Sequence, residues 1–157
     1  MKEIVVKKLK ERDVEIEDIA KLVYELQKDY VNMNMDDAIY NVNKVLDKRE
    51  VQNAILTGIE LDILAEKEQI NEPLLSIIKK DETLYGIDEI LALSITNVYG
   101  SIGFTNYGYI DKMKMGIVGE IDKKGKMTNQ VHTFLDDLVG GIAAAACARI
   151  AHSKSSK

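Results

Sequence analysis

The sequence predicts an all-α protein, a single-domain bundle of about six to seven helices, and three observations predict it. One proline and ten glycines among 157 residues leave long uninterrupted stretches, and aromatic residues that favour strands make up only 6%. Apolar residues recur at three- and four-residue steps over 16–27 and again over 49–67. The segment 131–152, VHTFLDDLVGGIAAAACARIAH, is apolar nearly all round, the pattern of a central buried helix. A composition of 46% hydrophobic and 30% charged residues is globular, and the length suits one core.

Residues 2–12 fit a short amphipathic helix with Ile4, Val5 and Leu9 on one side. Ile16, Ile19, Leu22, Val23 and Leu26 mark a stronger helix ending near Gln27. YVNMNMDD reads as a connection, with Asp36 or Asp37 capping a helix that runs to about Asp47. Val51, Ala54, Ile55, Ile59, Leu61 and Leu64 define the next, from about Arg49 to Lys67. Pro73 suits the first turn of a short helix, PLLSIIKK, where its missing N–H costs nothing. From Gly86 a long apolar stretch predicts helix on both sides of a weak point near Gly100–Gly103. Ile117 to Met127 reads as a loop with a lysine-rich tip, and Thr128 as the cap of a last helix reaching His152. Residues 153–157 read as a frayed tail, so the predicted domain is 1–152.

The net charge of −5 argues against nucleic acid and against electrostatic docking on an anionic membrane. The one cysteine, Cys147, allows no internal disulfide and no zinc cluster, and reads as a core residue. His132 and His152 lie too far apart for a histidine metal site. The first residues lack the apolar core of a signal peptide, and no run of about 18 uncharged apolar residues predicts a membrane span. The expected location is cytoplasmic, with peripheral membrane contact left open.

Three acidic sites sit in apolar surroundings: Asp88–Glu89, Asp111 and Asp136–Asp137. A buried carboxylate must be paired, protonated or bound to a cation. Gly140 and Gly141 follow Asp136 and Asp137 by one helical turn, leaving bare surface for a cation or for close helix packing. Hard oxygen donors suit magnesium, which keeps waters and bridges to phosphate. Simpler readings stand beside this one. Asp88 and Glu89 also suit the positive end of a helix after Gly86, and Asp111 and Lys114 a surface ion pair. Acids in charged company, as in AEKEQ, read as a solvated helix face.

The order of the three sites resembles the phosphatidylglycerophosphatase A family, whose motifs are DExxG, FRxxDxxKP with a further aspartate downstream, and DDxxAG. Here they meet 88-DEILA-92, 107-YGYIDKMKM-115 followed by Asp122, and 136-DDLVGG-141, within residues 80–152. Gly108, Met115 and Ala92 stand where the motifs have arginine, proline and glycine, and the family's GTxGS motif has no counterpart. The resemblance implies a soluble branch, a homo-oligomer, and a phosphorylated small-molecule or lipid substrate. It implies magnesium (Mg2+) held by Asp88, Glu89, Asp136 and Asp137, with Asp111, Lys114 and Asp137 serving catalysis. Asp111 would be a further ligand or the base, and Lys114 would offset phosphate charge. Two other classes remain: an inert helical assembly or regulatory module, and an all-α nucleotide pyrophosphohydrolase, whose paired ExxE and ExxD motifs are not evident.

Overall fold

The computed structural model describes residues 1–154. The helices are α1 (Lys2–Lys10), α2 (Ile16–Gln27), α3 (Met35–Leu46), α4 (Arg49–Glu66) and α5 (Leu74–Lys79). They continue with α6 (Ile87–Thr96), a 3-10 turn (Asn97–Tyr99), α7 (Ser101–Met113), α8 (Ile117–Met127) and α9 (Leu135–Lys154). The described residues form one all-α domain with nine α-helices, more than the six or seven expected. One of the additional helices is α8, expected as a loop. Glycines and lysines mask its pattern in the sequence, but Ile117, Val118 and Ile121 are buried. Tertiary burial decides that segment.

Helix α9 is the axis of the bundle. It packs against α7, α6, α3, α2, α4 and α8, and every residue from Val131 to Ala148 is buried. Its small side chains let neighbours approach closely. At Gly141 a Cβ would stand 2.9 Å from the Ala92 carbonyl oxygen, so α6 crosses α9 backbone against backbone. At Gly140 a Cβ would lie 3.5 Å from Ile110 and 3.6 Å from Tyr107, ordinary contact distances to α7. Both glycines therefore face neighbouring helices; neither leaves space for a cation.

Helix starts are set by particular side chains. Asn34, rather than Asp36 or Asp37, caps α3: its side chain accepts from the Asp37 N–H at 2.9 Å, and Asp37 returns a bond to the Asn34 N–H at 3.0 Å. Thr128 ends α8, its hydroxyl and N–H both donating to the Lys124 carbonyl. Helix α9 starts at Leu135 instead, so Asp136 and Asp137 lie in its first turn and not in mid-helix. Ser153 and Lys154, expected in the tail, continue α9; the remainder of that tail, 155–157, lies outside the described residues.

The approach to α9 is fastened from the turn after α1, from α4 and from α5. The Asp62 carboxylate, fully buried, accepts from the Phe134 and Leu135 N–H groups at 3.1 Å each. Glu66 accepts from the Val131 N–H at 2.8 Å, and Arg12 donates to both Glu66 and the Val131 carbonyl at 2.6 Å. The Thr133 hydroxyl donates to the Ile78 carbonyl at 2.6 Å. Glu66, in the AEKEQ stretch expected to be solvated, is half-buried and structural.

Asp62→Ala leaves two buried N–H groups unpaired and costs about 2–3 kcal/mol in urea unfolding; Asp62→Asn, which keeps one carbonyl acceptor, costs less. Gly141→Val forces α6 off α9 and costs about 2 kcal/mol. Gly140→Ala, with room for its methyl, stays within about 1 kcal/mol of wild type in the same measurement.

Candidate active site

The crossing of α6 over α9 assembles the site. Ala92 and Gly141 touch; Asp88 lies one turn before the first and Asp137 one turn before the second, so the two carboxylates come together on the same side. Helix α7 runs against α9 in the opposite direction, with Tyr107 and Ile110 beside Gly140 and Lys114 beside Asp136. The result is a cleft of about 400 Å³ between the α5–α6 loop, the starts of α6 and α9 and the end of α7.

Asp88, Glu89, Asp111, Lys114, Asp136 and Asp137, separated by up to 49 positions along the chain, all line this cleft. The α5–α6 loop adds Asp81 and Glu82. Seven carboxylates thus face one ammonium group. Lys114 donates to Asp111 at 2.8 Å and to Asp136 at 2.9 Å, so the pairing expected within α7 is extended across to α9. Asp122 lies outside this cleft, on the wall of an adjoining one, paired with Lys126 at 2.7 Å.

Electrostatics mark the two aspartates of α9. Burial, followed by the charges of Asp136 and Asp88, pushes the Asp137 carboxyl well above the ordinary carboxylate range. Burial also raises Asp136, with the Lys114 ammonium pulling the other way. Lys114 is raised despite its burial, because Asp136 and Asp111 hold its proton. Burial and the nearby Asp88 charge raise Asp81 as well. Asp88 and Glu89 occupy the first turn of α6 and Asp136 and Asp137 that of α9, so two helix N-termini partly offset this negative charge.

The donor set is hard oxygen throughout, with negative charge in excess, which fits a magnesium ion. Among the described residues no group of three or more His, Cys, Asp or Glu side chains is arranged to hold a metal ion. The acids are gathered in one cleft, but their side chains do not form a ready-made cage.

A second cleft of about 580 Å³ adjoins the first and shares Asp81, Thr83, Thr133 and Asp136 with it. Its wall also carries Lys79, Lys80, Asp122, Lys126 and His132. Burial, then the charges of Arg12 and Lys124, pushes the His132 imidazole down to about 4. His152 lies apart, its ring nitrogen 3.2 Å from the Tyr99 carbonyl oxygen. Cys147 is buried and free.

Sequence reasoning missed several of these residues. Asp62 had a signal, since it falls on the buried stripe of α4 with Ile55 and Ile59. Arg12, in a run of charged residues, had none. Asp81 had none either: its place depends on a loop in which Asp81 and Leu84 take left-handed backbone angles, φ 48° and 69°.

No helix among the described residues is long and apolar enough to cross a membrane. The chain is 60% identical over 146 residues to the uncharacterized protein YutG of Bacillus subtilis, covering 92% of this chain and 87% of that protein. Its fold matches a protein of unknown function from Bacillus stearothermophilus with TM-score 0.93 and 59% identity, over 98% of this chain and 94% of that one. It matches the low temperature requirement C protein of Listeria monocytogenes with TM-score 0.93 and 57% identity, over 98% and 96%. The family model for phosphatidylglycerophosphatase A matches residues 15–152, nearly the whole chain. With its aspartate-lined cleft built from the three motif regions, the chain belongs to the phosphatidylglycerophosphatase A family.

Proposed function

We propose that this protein is a magnesium-dependent phosphatase acting on a phosphomonoester, with phosphatidylglycerophosphate the first candidate. The observation that carries the reading is the cleft in which seven carboxylates face one ammonium group. Such a charge balance favours a divalent cation and, with it, a phosphate. Family membership supports the phospholipid-related substrate class. Leu84 and Ile87, 96% and 52% exposed, stand on the loop and helix that supply Asp88. They offer an apolar contact to the non-phosphate part of an amphiphilic substrate.

Asp88, Glu89, Asp136 and Asp137 would hold the metal. When bound, it supplies polarisation of the phosphoryl oxygens and a lowered pKa for a coordinated water. Asp111, half-buried at the cleft wall, would act as a further ligand or accept a proton from the attacking water. Lys114 has three N–H donors, two of them engaged with Asp111 and Asp136. It would present positive charge to the substrate phosphate.

A second reading, an inert assembly or regulatory module, is favoured by one observation. The cleft contains no arginine, and Gly108, where the motif has one, faces open space. Lysine does not reproduce the planar two-pronged grip of a guanidinium. Release of inorganic phosphate from a panel of lipid and soluble phosphomonoesters, with magnesium present, separates the two: turnover of any supports the phosphatase, and inertness towards all supports the module.

Magnesium raises the thermal unfolding temperature of the wild type, and Asp137→Asn abolishes that rise; equal unfolding curves for the wild type with and without magnesium refute metal binding. The pH dependence follows from Asp137, whose carboxyl is held well above its ordinary 3.8 by burial and by the charges of Asp136 and Asp88. The folded state holds this proton more tightly than the unfolded chain, so its stabilising contribution is complete below pH 3.8 and is lost as pH rises through the raised folded-state value. Metal-free wild type therefore loses stability relative to Asp137→Asn across that interval, while the magnesium-induced rise grows. Thermal unfolding of both proteins along a pH series measures the difference.

A further inference from the structure

Behind the cleft lies a tyrosine that neither its lining nor the proposed reaction uses. Tyr107 is 5% exposed, and its ring lies 3.6 Å from the point where a Gly140 Cβ would stand. Its hydroxyl is buried with no partner in hydrogen-bond geometry. A buried phenol in that condition is costly unless it serves a neighbour. Because α7 and α9 run in opposite directions, Tyr107 lies level with Gly140 and Lys114 with Asp136. Asp137 falls between these two contacts. Of the cleft acids Asp137 acts most strongly on the Tyr107 hydroxyl, ahead of Asp111 and Glu89, although the two groups are not in hydrogen-bond geometry in the metal-free protein. Asp137 itself lines the cleft, whereas Tyr107 does not. The phenol therefore approaches the carboxylate from the protein side.

We infer that Tyr107 is a positioning residue: its hydroxyl donates to the inner oxygen of Asp137 and turns the other oxygen towards the cleft. The inference rests on the reading that Asp137 binds a cation there. A carboxylate with two oxygens and free rotation presents either of them; a fixed donor behind it removes that choice before the ion arrives. The aspartate is then held in one orientation, and the ordering is done when the protein folds. Groups that bond the oxygen of a metal-binding carboxylate facing away from the ion typically change metal affinity by about 10–100-fold. Phenylalanine stands at this position in the motif that the segment resembles, so the hydroxyl goes beyond that pattern.

The test is Tyr107→Phe, which removes one oxygen and keeps the ring against Gly140. Calorimetric titration of the intact protein with magnesium, and in parallel with manganese, reads affinity; thermal unfolding without metal reads folding. The expected result is affinity for both ions weaker by about tenfold, with metal-free unfolding nearly unchanged. Unchanged affinity in Tyr107→Phe overturns the inference, and so does a lowered unfolding temperature with affinity intact, since that is a packing role alone. Asp137→Asn, titrated alongside, separates the two levels. If it loses magnesium while Tyr107→Phe does not, only the positioning role fails. If it binds magnesium as the wild type does, the reading of the site and the inference fall together.

Discussion

The structure depends on how the first turn of α9 is held. A helix that begins inside a protein exposes N–H groups that water cannot reach, and these must find acceptors. Here a carboxylate from α4, Asp62, takes two of them, while Glu66 and Arg12 fasten the residue that leads in. The cap is long-range, supplied by a residue more than seventy positions earlier in the chain. It fixes where α9 starts and which way its first turn faces. The direction of Asp136 and Asp137 follows from that.

What the fold builds on this foundation is electrostatically uphill. Five motif carboxylates and two from a loop share one cleft with a single lysine, and burial raises the proton affinity of both aspartates on α9. Two helix N-termini offset part of the repulsion, each by at most about 2 kcal/mol. The apolar packing of α9 supplies the rest of the restraint, since its middle section is buried on every side. A stable core thus holds together a set of charges that would separate if left to themselves.

The partition between the two adjoining clefts follows the same logic. Asp136 and Thr133 stand between them, one lined by seven carboxylates and Lys114, the other by Asp81, Asp122 and Asp136 balanced by Lys79, Lys80 and Lys126. The two clefts are kept side by side by one short stretch, 131–137, whose backbone is bonded at Val131, Phe134 and Leu135.

Local information was enough for much of this protein. The spacing of apolar residues determined the all-α class and most helices to within a few residues, because amphipathic periodicity is written into the chain itself. The acids of the three motifs stood out for a related reason: a charge in apolar company is visible without coordinates. Only the tertiary structure decided the rest. Helix α8 forms because its buried side finds α9, and the start of α9 is placed by Asp62 and not by a cap of its own. The two glycines after the aspartates meet helices α6 and α7, which no local pattern announces. Asp81, Arg12 and Tyr107 gain their roles from loops and crossings that bring distant positions together. Periodicity is a property of neighbours in sequence, whereas a cleft is a property of neighbours in space.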